Sequence, residues 1–111
     1  MMPVMDPSSR IEKMRDMVAR SPDDPRARYF LAHELYRVED WAGAAEHYEA
    51  YVRMAPGDEA AAWKRLGLCL ERLGRKDAAA EAYRRGIDNA IAHAHDGLAS
   101  EIRFLLDELQ A

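Results

Sequence analysis

The side chains of this sequence best suited to bind a metal or transfer a proton are four histidines: His33, His47, His93 and His95. Two histidines that share a metal on one helix stand four residues apart, because that spacing places both rings on one face. His93 and His95 are two residues apart, so a helix would turn their rings about 200° away from each other. His33 and His47 fall on different predicted helices. We therefore predict no metal site, and we expect these imidazoles to be solvated or to line a groove.

The nucleophilic side chains lack the neighbours that catalysis requires. Ser8, Ser9 and Ser21 fall at predicted helix ends, where a hydroxyl commonly caps the helix. Cys69 is the only cysteine and lies between two leucines, which indicates a small buried hydrophobic residue. The sequence contains no glycine-rich loop of the kind that holds a phosphate. It therefore predicts a protein that is not an enzyme, with no catalytic residue and no cofactor.

Length and composition favour one small globular domain, residues 1–111. The chain is 49% hydrophobic and 32% charged, and its 111 residues are too few for two independent cores. No apolar run approaches the ~18 residues of a membrane span, so we expect no membrane partner. The net charge of −4 argues against nucleic acid as a partner, since nucleic-acid-binding proteins usually carry a basic excess. The first ten residues lack the pattern of a signal peptide, so we expect a cytoplasmic location.

The chain is similar to itself at a shift of 35 residues. Identical residues then coincide at several positions, among them Leu31/Leu66, Leu35/Leu70, Ala44/Ala79, Ala45/Ala80, Glu46/Glu81 and Tyr48/Tyr83. The leucines of each copy are four residues apart, which places them on one helix face. A small residue, Ala32 or Gly67, follows the first leucine and would let a second helix approach closely. We infer two copies of a helix pair, and these pairs must stack because one pair cannot bury both apolar faces.

Turn-forming residues divide the chain into six predicted helices, with no strand. Asp24 and Pro25 form a typical helix start, Asp40 is a second capping residue, and Gly74 is a typical left-handed C-cap. We expect the joint before the last helix at residues 95–97. The predicted helices cover residues 7–20, 25–38, 41–54, 59–73, 76–94 and 98–110, which makes the fold class all-α.

The two copies resemble the tetratricopeptide repeat family, whose pattern is Trp-x2-Leu-Gly-x2-Tyr and then Ala-x3-Phe in a helix–turn–helix of about 34 residues. The matching residues of the second copy are Trp63-x2-Leu66-Gly67-x2-Leu70 and Ala79-x3-Tyr83. Those of the first copy are Arg28-x2-Leu31-Ala32-x2-Leu35 and Ala44-x3-Tyr48, with Arg28 in place of the usual tryptophan. The resemblance implies helix–turn–helix repeats that form a short right-handed superhelix, a solenoid.

The resemblance also divides the domain into two repeats and two flanking segments. The flanking helices depart from the pattern, as terminal units of solenoids commonly do, because they must present a polar outer face. We expect a disordered start at 1–6, an N-terminal half-repeat helix at 7–24, repeats at 25–58 and 59–94, and a C-terminal capping helix at 97–110.

In this family the first helices of successive repeats line a concave groove in which protein ligands usually bind. By position, the groove of this chain would contain Arg26, Tyr29, Phe30, His33, Arg37, Lys64, Arg65, Leu68 and Arg72. Five of these are basic in a net acidic chain, which favours a peptide or helix with acidic and apolar side chains. The resemblance thus implies a non-catalytic adaptor for another protein. The alternative is a merely solvated helix face, with Phe30 or Tyr29 packed on the preceding helix.

Self-association is a second function that the sequence leaves open. A large aromatic ring on the polar side of a terminal helix can mark a surface that another protein, or a second copy, covers. Phe104 is such a residue and could support a homodimer through the C-terminal helix without a separate ligand, so we expect a monomer or a weak homodimer. It lies opposite an arc of apolar residues: Leu98, Ile102, Leu105, Leu106 and Leu109.

Overall fold

Six α-helices and no strand make up residues 6–54 and 57–111, the part of the chain that the computed structural model describes. The helices are α1 (Pro7–Arg20), α2 (Pro25–Arg37), α3 (Trp41–Met54), α4 (Ala60–Arg72), α5 (Lys76–Ala92) and α6 (Asp96–Gln110). The predicted all-α fold is therefore confirmed. Residues 1–5 of the predicted disordered start lie outside the described residues.

Aspartates begin three of the helices. The carboxylate of Asp6 accepts from the backbone N–H of Ser9 at 2.9 Å, and that of Asp24 accepts from Arg26 at 2.9 Å. The carboxylate of Asp40 accepts from the backbone N–H of Gly43 at 3.0 Å. Each bond satisfies an amide that has no partner within the helix, which is how a side chain fixes a helix start. The predicted capping roles of Asp24 and Asp40 are confirmed.

Three helices end in the same left-handed turn, at Glu39, Gly74 and Ala94, where φ is 63°, 74° and 58°. At Gly74 the N–H bonds to the Glu71 carbonyl at 2.9 Å, and the next N–H bonds to the Leu70 carbonyl at 2.9 Å. The same two bonds occur at Glu39 and Ala94, which defines a Schellman motif in all three turns. The predicted left-handed role of Gly74 is confirmed.

The predicted joint at residues 95–97 is wrong. The N–H of Ala94 bonds to the Ile91 carbonyl at 3.1 Å and that of His95 to the Ala90 carbonyl at 2.8 Å, which ends α5 at Ala92. Helix α6 consequently begins at Asp96, two residues earlier than predicted, and Gly97 lies inside its first turn.

Small residues allow the two helices of each pair to pack closely. A Cβ atom on Gly67 would lie 2.3 Å from Cε1 of Tyr83, so only glycine leaves room for this ring against α4. Tyr83 and Ala79 of α5 are fully buried, as are Tyr48 and Ala44 of α3. The predicted pairing of helices through these residues is confirmed.

Gly86 brings α5 close to both of its neighbouring helices, and Asn89 holds its end against the start of α4. A Cβ atom on Gly86 would lie 3.1 Å from Cβ of Trp63 and 3.1 Å from Cδ1 of Ile102, so α5 lies close to both α4 and α6. The Asn89 amide donates to the Gly57 carbonyl at 2.7 Å and to a Glu59 carboxylate oxygen at 2.9 Å. Its oxygen accepts from the Glu59 backbone at 3.1 Å, which holds the start of α4 against the end of α5.

The buried tyrosines of the two copies have different hydrogen-bond partners. The Tyr83 hydroxyl donates to the Glu71 carboxylate. The Tyr48 hydroxyl is buried without a hydrogen-bond partner among the described residues, because Tyr36 occupies the position 35 residues before Glu71. The ring of Tyr36 packs edge-on against that of Tyr48, with centroids 6.4 Å apart. Burial raises the pKa of both phenols, and for Tyr83 the bond to Glu71 adds to the effect.

We expect opposite outcomes when each of these hydroxyls is removed. Tyr83→Phe should lower the free energy of unfolding by about 1–2 kcal/mol, because the Glu71 carboxylate loses its donor. Tyr48→Phe should change it by less than ~0.5 kcal/mol or raise it, because this hydroxyl is buried without a partner. Urea unfolding of both variants measures the difference, and equal losses would contradict the assigned hydrogen bonds.

Ala94, whose φ is positive, should lower the stability of the fold. Ala94→Gly should raise the free energy of unfolding by about 0.5–1 kcal/mol, because glycine adopts positive φ without the steric cost that Cβ imposes. The matched control is Ala92→Gly at the last residue of α5, which should lower the free energy of unfolding, by up to about 0.5 kcal/mol, because this residue keeps the helical conformation that alanine favours. Thermal or urea unfolding distinguishes the two, and a loss at both positions would contradict the Schellman assignment.

Candidate binding groove

Helices α2, α4 and α6 lie side by side and form one face of the molecule, which we call the groove face. An Arg65 Nη atom on α4 donates to the Tyr29 hydroxyl on α2 at 3.0 Å. On its other side, α4 contacts α6 through an ion pair between Lys64 and Glu101. The contact of Lys64 with Glu101 repeats the contact of Tyr29 with Arg65 one unit later in the chain. Lys64 follows Tyr29 by 35 residues, and Glu101 follows Arg65 by 36. Helix α6 therefore packs beside α4 in the same way as α4 packs beside α2.

The equivalence of α4 and α6 places Phe104 on the groove face. Glu101 contacts α4, and Phe104 lies one helical turn further along the same side of α6. Phe104 follows Leu68 by 36 residues, and Leu68 follows His33 of α2 by 35. The three side chains therefore occupy equivalent positions on α2, α4 and α6 and form a row across the groove face. Sequence reasoning assigned Phe104 to the end of the solenoid and missed this position. A sequence signal for this position exists, because the apolar residues of α4 and α6 have the same spacing: Leu66, Leu70 and Leu73 match Ile102, Leu106 and Leu109.

Both phenylalanines and Tyr29 lie on the groove face. Phe30 and Phe104 are the two phenylalanines of the chain, and they are 51% and 62% exposed. Tyr29 lies edge-on to Phe30, with centroids 6.2 Å apart, and packs inward against the ring of Tyr51 at 5.1 Å. The His33 ring is parallel to that of Tyr29 within 3°, at 6.4 Å. Phe30 is thus exposed rather than packed on the preceding helix, whereas Tyr29 is anchored against α3.

Nearby carboxylates neutralise three of the five basic groove residues predicted from the sequence. Arg26 lies 3.5 Å from Asp24, and Arg37 lies 3.3 Å from Glu34. Lys64 is paired with Glu101, a groove residue that sequence reasoning missed because its partner is 37 residues away. The groove face is consequently less basic than the sequence suggested.

The remaining positive charge lies on the central helix. Within residues 6–54 and 57–111, Arg65 and Arg72 form no ion pair. Arg65 bonds to the neutral Tyr29 hydroxyl, and the guanidinium of Arg72 lies 5.4 Å from the centre of the Trp41 ring. Leu68, half-buried one turn after Lys64, packs on the apolar cluster of α5 and α6. The centre of the face therefore presents a leucine between two guanidinium groups.

Burial shifts the pKa of His33 and of Cys69, which lie on two helices of the groove face. Burial and the nearby Arg65 lower the pKa of His33, so its imidazole is neutral at pH 7 and adds no charge. Burial raises the pKa of the Cys69 thiol to about 12, which keeps it protonated. No group of three metal-ligating side chains occurs in the described part of the chain.

His47 differs from its predicted environment. The expectation that it would be solvated or line a groove is wrong, because His47 is a buried residue of α3. It packs against α2 on the side away from the groove face. There Arg28 donates to Nδ1 of His47 at 3.1 Å, and Arg28 is the residue that replaces the family's tryptophan. Burial lowers the pKa of His47, so the neutral ring accepts this bond.

Two negative findings limit the surfaces to be considered, each for the residues that the structure describes. None of the helices is long and apolar enough to cross a bilayer. A cleft on the side of α4 opposite the groove face contains none of the nine predicted groove residues.

Solved structures with the same fold include PcrH in complex with the chaperone binding region of PopD. It superposes with a TM-score of 0.83 at 18% identity and covers 94% of this chain and 78% of PcrH. BPP2914 from Bordetella parapertussis gives a TM-score of 0.74 at 24% identity, covering 98% of this chain and 90% of its own. MamA gives 0.70 at 25% identity, and the match covers 93% of this chain but 58% of MamA.

Sequence comparison identifies the family to which this fold belongs. A search of curated proteins gives no match. A family model described as tetratricopeptide repeat matches residues 11–59 and again residues 31–94, which together span most of the chain. These two matches agree with the 35-residue repeat and with the stacked helix pairs, and the chain belongs to the tetratricopeptide repeat family.

Proposed function

We propose that this protein is a non-catalytic adaptor whose groove face binds a peptide or a helix of a partner protein. The exposure of both phenylalanines on that face carries the proposal. Phenylalanine is normally buried, and two exposed rings on one surface are typical of a site that another molecule covers. The complex of PcrH with a region of PopD supports the proposal, because the two folds superpose closely.

The charges of the groove face define the chemistry of the partner segment. Arg65 and Arg72 favour carboxylates over α4, and Phe30 and Phe104 favour apolar side chains at either end. Glu101 disfavours further carboxylates over α6. The segment should therefore combine acidic and apolar residues, with no role for nucleic acid or membrane. A cytoplasmic location stays a prediction.

The two rings should contribute most of the binding energy. Exchanging Phe30→Ser and Phe104→Ser together should weaken binding of the partner at least tenfold, about 1.4 kcal/mol, because such anchors commonly dominate interfaces. A partner captured with the wild-type protein and then purified is titrated by calorimetry at low and high salt. Affinity should also fall as salt rises, because the guanidinium groups are exposed to screening.

Met17 and Ile91 provide a matched control for these substitutions. They are 51% and 55% exposed but lie on α1 and α5, outside the groove face. The double variant Met17→Ser and Ile91→Ser should bind like the wild type. Equal losses in both double variants, or unchanged affinity without the phenylalanines, would place the site elsewhere.

Self-association through α6 is the second candidate function. The observation that favours it is the exposure of Phe104, 62%, the largest among the exposed large hydrophobic residues of the described chain. Its neighbours on the helix surface include Ser100, Asp107 and Glu108, and the two carboxylates would need partners if a second copy covered them.

Sedimentation separates the two functions. If α6 forms a homodimer, the wild type should sediment as a dimer at hundreds of micromolar, and Phe104→Ser should remain a monomer. Ile91→Ser, an exchange of a similarly exposed residue on α5, should dimerise like the wild type. A wild-type monomer at these concentrations would exclude self-association.

A further inference from the structure

A cleft of about 560 Å³ lies between α3 and α5, over the side of α4 that faces away from the groove face. On α4 it is formed by Trp63 and Leu66, which are on the opposite side of this helix from Leu68 and Lys64. Its volume is in the range of ligand sites, roughly 300–1,000 Å³. Apolar side chains form the floor and charged ones the rim; the lining residues are Glu49, Val52, Arg53, Trp63, Leu66, Leu70, Arg75, Ala78, Glu81, Ala82 and Arg85.

The internal repeat explains why this cleft is open in the second copy. In the first copy the corresponding space, 35 residues earlier, is filled by the hydrogen-bonded pair of Arg28 and His47. The equivalent residues of the second copy are Trp63 and Ala82. Because Ala82 has only a methyl group where His47 has a ring, Trp63 keeps an exposed part, which forms the floor of the cleft.

A second difference between the copies changes the charge at one end of the cleft. Asp40 caps α3 with its carboxylate, whereas Arg75 stands at the equivalent position before α5. The start of α5 has no side-chain cap, so the first amides of this helix have no intrahelical or capping partner. The guanidinium of Arg75 forms no ion pair within residues 6–54 and 57–111. The charged side chains of this turn are Arg75, Lys76 and Asp77, so the end of the cleft next to Ala78 carries a net positive charge.

The two carboxylates on the rim do not cancel this charge, because each is already paired on its own helix. Glu49 accepts from Arg53 at 2.7 Å, and Glu81 accepts from Arg85 at 3.1 Å. The guanidinium of Arg85 also lies 5.6 Å from the centre of the Trp63 ring. Three arginines against two glutamates leave the rim positive in a chain whose net charge is −4.

We propose that this cleft is a second docking site, distinct from the groove face, for a short acidic segment of a partner protein that carries one aromatic side chain. The aromatic side chain packs on Trp63 and the apolar floor. A carboxylate next to it meets Arg75 and the uncapped amides at the start of α5, where the helix dipole also favours negative charge. The two sites lie on opposite sides of α4, so one protein can hold two segments at once.

The test uses a five-residue probe peptide, blocked at both ends, in which phenylalanine stands between two Asp–Glu pairs. It is titrated into the full chain by NMR, with the indole N–H of Trp63 as the reporter of the cleft. The indole N–H of Trp41, which contacts Arg72, is the reference for the groove side. The peptide should shift the Trp63 signal saturably, and a peptide with lysines in place of the acidic residues should not.

Variants separate this site from the groove face. Ala78→Glu adds a carboxylate to the exposed wall of the cleft and should weaken the acidic peptide at least about tenfold, by repulsion. Ala42→Glu, at an exposed position on α3 outside the cleft, is the matched control and should change affinity less than about twofold. The pair Lys64→Glu and Arg65→Glu, on the groove face, should also leave it within about twofold. Ala82→His should close the cleft as His47 does in the first copy.

Three outcomes would overturn the proposal. The first is a Trp63 signal that does not shift at about 5 mM peptide, because even a millimolar complex would be largely formed at that concentration. The second is equal binding of the lysine peptide. The third is a loss of binding in the groove-face variant with no loss in Ala78→Glu. Melting temperatures of all variants establish that each is folded. If Ala82→His does not fold, Ala78→Glu alone decides.

Discussion

The contact of the Tyr83 ring with the backbone of α4 at Gly67 sets the geometry on which the rest of the structure depends. It brings α5 against α4 without an intervening side chain, and Gly86 then allows α5 to approach both Trp63 and Ile102. These approaches determine how α4 is rotated in the stack. That rotation directs Lys64 and Arg65 to the groove face and Trp63 to the cleft, so both candidate sites follow from the same close packing.

The two copies keep this packing and differ in the side chains around it. Tyr48 and Tyr83 are both fully buried, yet one hydroxyl lacks a partner and the other bonds to Glu71. Likewise, the partly buried Arg28–His47 pair fills the space that Trp63 and Ala82 leave open in the second copy. A repeat whose apolar contacts are preserved can therefore acquire different surfaces, because the positions outside those contacts vary without loss of the fold.

Charge on the groove face is set by ion pairs, within one helix and between helices, as much as by composition. Lys64 meets Glu101 and Arg37 meets Glu34, so the basic excess apparent in the sequence is reduced to Arg65 and Arg72. Each pair has one partner in open contact with solvent, where an ion pair contributes little to stability. Their effect here is on recognition, because they restrict the attraction for acidic side chains to the central helix.

Residue types and spacing alone determined the six helices, their caps at Asp24, Asp40 and Gly74, and the repeat that pairs them. These features depend on local hydrogen bonds and on a 3.6-residue period, which are properties of neighbouring residues. Only the tertiary structure decided that Phe104 lies in line with Leu68, that Glu101 neutralises Lys64, and that a cleft opens over Trp63. Such contacts join residues about 35 positions apart, and they depend on the distance and rotation between helices, which the close approach at Gly67 and Gly86 establishes.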